Sequence, residues 1–310
     1  MAGSEEQHSV LDASSVAAEA RLDLSSCRIG ALLNHSSGSC DAKAEHDLHA
    51  ILAKAELKAN EVWCGQSSDY QRALDDTSGQ NLDVLIVLGG DGTIRSAAEH
   101  CGTSGPLLIP LPGGTMNVLP TALYGPLAWR DALAATLERP TRRIVSGGEV
   151  GQRRFFIAAL FGGASRMGEA REALRKHEVA GAIKKGVSAL GSVLESDLHY
   201  AFNGLAGSSE AIAVLCERSN LFEGPSDRLE AVAFKLASPL GAVRLALEGI
   251  TGGWRTDPAV VRASTERVSL RSRGPISAML DGETFELGSV AEIAFIPKAF
   301  AAIVPESVAT

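Results

Sequence analysis

The stretch DVLIVLGGDGTIRSAAEHC, residues 83–101, decides how the chain is read. Residues 83–88 form an apolar run ended by glycines, which predicts a buried strand. Residues 94–101 read as a helix, and between the two stand Gly89, Gly90, Asp91, Gly92 and Thr93. A strand, a glycine turn and a helix in that order predict an α/β unit with its turn at the strand's carboxyl end. Glycines let a ligand approach the backbone closely, and the first N–H groups of the helix favour an anion. Asp91 puts a carboxylate in that turn. Taken alone, the turn also reads as a tight connection with Asp91 as a local cap. Neither common phosphate fingerprint is met: G-x-x-x-x-G-K-[ST] is absent, and Arg95 stands at the third glycine position of G-x-G-x-x-G.

Outward from this unit the alternation continues. Residues 28–33 predict a strand, Asn34-His35-Ser36-Ser37-Gly38 a turn, residues 42–59 a helix capped by Asp41, residues 61–64 a weak strand and residues 68–76 a short helix. Residues 107–111 predict a strand, followed by Pro112-Gly113-Gly114-Thr115, a helix from Asn117 and another over 129–139. Thr115 and Asn117 read as helix caps or ligand contacts. The pattern predicts an α/β N-terminal domain with a parallel sheet covered on both faces, and three Gly-rich turns on one sheet edge.

The second half predicts a mainly antiparallel β-sandwich. Strands are expected over 142–150, 153–160, 199–202, 211–216, 229–236, 267–271, 276–280, 284–287 and 292–296, and a helix over 166–190. Asp281-Gly282 between two β-like runs predicts a hairpin. Such a turn can present Glu283 to a cleft as a carboxylate base, with Asp281 as an acidic neighbour able to raise its pKa. The expected organisation is a flexible arm over 1–24, an α/β domain over 25–146 and a β-rich domain over 147–304, its last segment free to return to the first.

Composition narrows the function classes. Hydrophobic residues make up 45% and charged residues 21%, which predicts a packed core, and the 5% aromatic share leaves aliphatic side chains to form it. The net charge of -8 opposes protein-wide attraction to nucleic acid or anionic lipid. Cys27, Cys40, Cys64, Cys101 and Cys216 are scattered without a C-x-x-C, which disfavours a disulfide framework or thiolate zinc site and fits a reducing cytosol. The acidic N-terminus lacks a signal-peptide pattern, and no apolar run approaches ~18 residues. A cytoplasmic protein is expected, with any lipid contact peripheral. Arg166, Arg171, Arg175, Lys176, Lys184 and Lys185 read as a solvated basic face or as a contact for an anionic membrane.

Asn34-His35-Ser36-Ser37-Gly38, residues 89–93, Gly114-Thr115-Met116-Asn117 and Asp281-Gly282-Glu283 resemble, in order, the N-P-x-S-G, G-G-D-G-T, G-T-x-N and D-G-E patterns of the diacylglycerol kinase catalytic family. That family includes soluble bacterial lipid kinases and the sphingosine and ceramide kinases. The resemblance spans about residues 27–298. It implies a two-domain kinase with ATP in the interdomain cleft and Mg²⁺ on the nucleotide, transferring the γ-phosphoryl group to diacylglycerol or a related lipid alcohol in phospholipid metabolism. It implies that Asn34, Ser37, Gly38, Gly89, Gly90, Asp91, Gly92 and Thr93 hold the phosphates. Gly114, Thr115 and Asn117 would add nucleotide contacts, and Cys64 stands where the family usually has a nucleotide-side Thr. Glu283 is the implied proton acceptor, with Asp281 beside it. Asp91 would organise phosphates and Mg²⁺, or serve as the base itself. Residues 224–229 resemble a shortened metal loop with Asp227 as ligand, although Arg228 replaces its glycine. His35 replaces the usual Pro of the first motif, and Arg95-Ser96 replace the frequent Asn-Glu after G-G-D-G-T. The implied partners are ATP and a membrane lipid at the inner membrane surface, with a homodimer possible. Two other classes share parts of this pattern: a kinase for a soluble substrate such as NAD, and a catalytically silent lipid- or nucleotide-binding protein.

Overall fold

The computed structural model describes residues 21–115, 117–162, 198–216, 228–234 and 260–306. The expected basic helix over 166–190 and Asp227 lie outside these residues.

The N-terminal half alternates as β1 (Ile29–Asn34), α1 (Ala44–Lys54), β2 (Glu61–Gly65), α2 (Ser67–Asp76), β3 (Val84–Gly89), α3 (Asp91–Cys101), β4 (Leu107–Pro112), α4 (Val118–Tyr124) and α5 (Trp129–Glu138). Strands β2, β1, β3 and β4 pair in that order, all parallel. Every residue of β1 and β3 is buried, as expected for parallel strands covered on both faces. Helix α1 stops earlier than its apolar spacing predicts, because Glu56 takes a left-handed backbone with φ 59°. Its first residue is Ala44, and Asp41 instead accepts the Lys43 N–H at 2.9 Å in the turn before it.

This strand order fixes where a ligand can sit. From β1 the chain crosses outward to β2, while β3 lies on the other side and leads away to β4. The carboxyl ends of β1 and β3 therefore flank a topological switch point, the crevice such sheets leave open. Asn34 ends one strand and Gly89 the other.

The C-terminal half contains β5 (Pro140–Val150), β6 (Arg153–Phe155), β7 (Ala158–Gly162), β8 (Leu198–Phe202), β9 (Leu205–Ser209), β10 (Ala211–Leu215), β11 (Leu229–Phe234), β12 (Val260–Thr265), β13 (Arg267–Arg271), β14 (Ile276–Leu280), β15 (Glu283–Leu287) and β16 (Val290–Pro305). An antiparallel sheet, β12-β11-β10-β7-β14-β15, faces the antiparallel part of the first sheet, formed by β16, β13, β8 and β9 with β5 and β6. Val150, Phe161, Ile212, Val214, Leu270, Ile276 and Ile293 from both faces share one core, which makes this half a β-sandwich.

Several local expectations are corrected. The strand expected over 153–160 is broken at Phe156-Ile157, because the N–H groups of Phe156, Ile157 and Ala158 turn to donate to the Asp281 carboxylate. Strands β9 and β12 escape the sequence pattern. The strand expected over 292–296 runs on to Pro305, pairing with β5 on either side of a register shift between Ile296 and Phe300 and in parallel with β4 at Ala302–Leu108. Ser146 and Gly147 lie inside β5, so no linker separates the halves there. Residues 21–24, expected in the mobile arm, are held: Leu22 N–H donates to Pro140 O at 2.8 Å and Leu24 is buried.

Candidate active site

All three Gly-rich turns lie at the carboxyl ends of β1, β3 and β4, and hydrogen bonds join them. Asn34 is only 2% exposed. Its Nδ2 donates to Thr93 Oγ1 at 2.9 Å and to Ser67 Oγ at 3.0 Å, while Oδ1 accepts the Ser36 N–H at 3.0 Å. Gly90 N–H donates to Ser37 Oγ at 3.1 Å, and Ser39 N–H to Gly113 O at 2.9 Å. Gly38 is open, with no described residue within 4 Å of the position of a side chain. Asn34 and Ser37 thus brace the turns, and the amide of Asn34 faces neighbouring side chains rather than open space.

The second and third turns touch through their backbones. A β-carbon on Gly114 would stand 2.7 Å from Gly90 Cα, closer than real contacts allow, so the approach requires glycine. Asn117, expected as a helix cap or a ligand contact, does not cap α4 but closes its own turn: Oδ1 accepts the Gly114 N–H at 2.7 Å and Nδ2 donates to Gly114 O at 2.9 Å. The cap of α4 comes from Asp91, whose Oδ1 accepts the Val118 N–H at 2.6 Å, with the Asn117 and Leu119 N–H groups also favouring its charged form. Asp91 therefore caps the next turn's helix, and its own helix α3 has no side-chain cap. Burial pushes the Asp91 carboxyl above its usual range, and these amides pull against that shift.

The hairpin expected at Asp281-Gly282 forms, with φ 47° and 92° at the two turn residues and Leu280 paired to Glu283, as a type I′ turn requires. Asp281 accepts the N–H groups of Phe156, Ile157 and Ala158 at 2.7, 2.9 and 2.9 Å, which locks the hairpin to the start of β7. Its pKa is pushed up to about 6 by burial, against the pull of those amides.

Glu283 then reaches the G-G-D-G-T turn. Its Oε1 lies so close to Gly92 that a β-carbon there would overlap it. Its Oε2 accepts a charge-assisted hydrogen bond from Arg95 Nη2. The G-G-D-G-T and D-G-E motifs are thus brought into contact at Gly92 and Glu283, with Arg95, 188 residues from Glu283, beside them.

Cys64 lies at the half-buried end of β2. Burial and the neighbouring Glu45 push its thiol up to about 12, so it stays protonated. Thr115 is exposed at the lip of the third turn. Among the described residues, no group of three or more His, Cys, Asp or Glu is placed to hold a metal by itself. A crevice of about 190 Å³ between α4, β5 and the 156–157 turn is lined by Leu119, Leu123, Phe156 and Ile157 together with Arg143 and Ser146. No described helix is long and apolar enough to cross a membrane.

Arg95 is the main residue that sequence reasoning passed over, noting it only as a departure from a pattern. The available signal was a charged residue beside Ile94 on the apolar face of a helix, with Glu99 four positions on.

Residues 28–148 match the diacylglycerol kinase catalytic domain. This match covers the three Gly-rich turns and ends inside β5. Two solved structures from Bacillus anthracis str. Sterne share the fold. One, a provisionally assigned diacylglycerol kinase, has a TM-score of 0.68 at 15% identity, covering 91% of this chain and 98% of its own. The other, described as a diacylglycerol kinase, has a TM-score of 0.66 at 14% identity over the same shares. At that identity the likeness is one of architecture: a mainly parallel α/β domain followed by an antiparallel β domain.

Proposed function

We propose that this protein is an ATP- and Mg²⁺-dependent lipid kinase that transfers the γ-phosphoryl group to the hydroxyl of diacylglycerol or a related lipid alcohol. The observation that carries this reading is Glu283 lying against Gly92, a carboxylate held at the phosphate-type turn itself. Phosphoryl transfer asks for positioning and charge stabilisation more than covalent chemistry, and a carboxylate to take the acceptor's proton.

The residues fit the nucleotide. Gly90 and Gly114 leave a bare backbone surface between the second and third turns, and the uncapped start of α3 offers N–H groups to an anion. They also fit Mg²⁺ carried on the phosphates. A carboxylate has about four lone-pair sites, so Asp91 keeps acceptor capacity beyond its α4 amides. Asp91 would hold Mg²⁺ there together with the phosphates, and the ion would supply charge neutralisation.

Within this frame Glu283 takes the proton as the acceptor oxygen forms its bond to phosphorus and the bond to the leaving ADP breaks. Asp91 holds the second and third turns in register, and its tie to α4 favours Glu283 over Asp91 as base. Asp281 positions the hairpin that carries Glu283. The crevice shares α4 with Asp91 and the 156–157 turn with Asp281, and its lining mixes Leu119, Leu123, Phe156 and Ile157 with Arg143 and Ser146, which is compatible with an amphiphilic acceptor. The reading includes a cytoplasmic enzyme working at the membrane surface.

Purified protein with labelled ATP, Mg²⁺ and diacylglycerol, monoacylglycerol, ceramide, sphingosine or NAD tests this directly. Label in a lipid alcohol is expected. Label in NAD alone would overturn the lipid assignment, and ATP binding without transfer to any acceptor would make the protein a silent binder.

A further inference from the structure

Arg95 is a buried cation, 6% exposed, on the first turns of α3. Its Nη1 donates to Glu99 Oε1 at 3.2 Å and its Nη2 to Glu283 Oε2. Its Nε is buried with no hydrogen-bond partner among the described residues. Its guanidinium lies 5.4 Å from the centre of the Phe285 ring. Glu99 cannot follow Arg95 freely, because its Oε1 also accepts the Arg154 N–H at 3.0 Å. One arm of the guanidinium is thus anchored, and the other is fixed on a carboxylate whose side chain is 44% exposed.

Burying a guanidinium costs several kcal/mol unless carboxylates surround it. As a device for stability alone this arrangement is poor, since one of the paired anions is half in solvent and Nε is orphaned. Its placement is informative in another way. Glu283 Oε1 sits against Gly92, beside the start of α3 where phosphates would bind. An unpaired carboxylate there would repel them.

We propose that Arg95 is the positioning counter-charge that allows an anionic nucleotide to seat beside Glu283, an inference that rests on the nucleotide reading above. Arg95, Glu99 and Glu283 together carry a net charge of minus one. Without Arg95 the cluster becomes minus two at the mouth of the phosphate turn. Without both Arg95 and the Glu283 charge it returns to minus one. Nucleotide affinity should follow that charge and not the number of native contacts.

Titration calorimetry with Mg·AMP-PNP tests this on the full chain and needs no turnover. Arg95→Met should weaken binding roughly tenfold, the scale of one added charge near several phosphate charges at intermediate dielectric. Arg95→Met/Glu283→Gln should restore wild-type affinity within about twofold, and Glu283→Gln alone should bind tightest. Arg95→Gln keeps a hydrogen-bond donor without the charge, and should bind as weakly as Arg95→Met. If Arg95→Met does not fold, Arg95→Gln and the double variant carry the same comparison. A merely structural loss would not be reversed by also changing Glu283, so a double variant as weak as Arg95→Met overturns the proposal. So does wild-type affinity in both Arg95→Met and Arg95→Gln. If the wild-type chain does not bind the analogue at all, the nucleotide reading fails first, and this one with it.

Discussion

Asp91 belongs by sequence to the turn before α3, yet its carboxylate accepts the Val118 N–H at 2.6 Å, at the start of α4. One acid therefore ties together two glycine turns that the sequence separates by about two dozen residues. Replacing it removes a helix cap as well as an acid at the phosphate turn. Asp91→Ala should lose about 1 kcal/mol of stability, the usual cost of a lost cap. It should also raise the KM for Mg·ATP. Urea unfolding and steady-state kinetics check both, and a variant unchanged in the two would contradict the tie.

Glu283→Gln should lower kcat by about 10²- to 10⁴-fold, the typical contribution of a positioned base. Nucleotide binding should be no weaker than in the wild type. Single-turnover transfer from labelled ATP measures the first and calorimetry the second. Retained turnover would shift the proton acceptor to Asp91.

Gly92→Ala separates stability from function. Alanine is favoured over glycine in a helix by roughly 0.5–1 kcal/mol, which offsets part of the cost of moving Glu283 off buried Arg95, so the unfolding midpoint should fall only modestly. The added methyl would occupy the place of Glu283 Oε1. Transfer should then fall at least tenfold, a threshold set by the usual worth of a positioned base. An active Gly92→Ala enzyme would show that Glu283 can work from elsewhere.

Asp281 sets burial against hydrogen bonding. Its pKa rises from 3.8 to about 6, so between these values the folded state holds a proton that the unfolded chain has lost. The stability contributed by the wild-type side chain should therefore fall as pH rises from about 4 to 6, and level off above. Urea midpoints of wild type and Asp281→Asn at pH 4, 5, 6 and 7 should show the wild type losing ground to the variant across that window. A wild type that gains ground instead would mean that the three amides outweigh burial.

The parts of the fold legible in the sequence are those with local causes. The runs that became β1, β3 and β4 are continuous and apolar because parallel strands bury both faces. The Asp281-Gly282 turn is read from two residues, since both must take positive φ. The three glycine turns could be placed on one edge from alternation alone.

What escaped depends on distant partners. Phe156-Ile157 reads as strand because both residues are apolar, and only Asp281, more than a hundred residues later, turns their amides away. Pro297 and Lys298 make the end of β16 look like a strand terminus, although the strand continues past a register shift between Ile296 and Phe300. Asp91 is visible as an acid in a turn, but the helix that it caps is not its own. Arg95 looks like a lost family residue until Glu283 is seen beside it.

Strands β5 and β16 join the two halves as a paired ribbon and not as a flexible tether. Opening the cleft between Gly92 and Glu283 must then bend a hydrogen-bonded ladder, whose weakest point is the register shift around Pro297-Lys298-Ala299. Such a ribbon should work as a leaf spring, confining flexing to one spot and returning the carboxylate to its place.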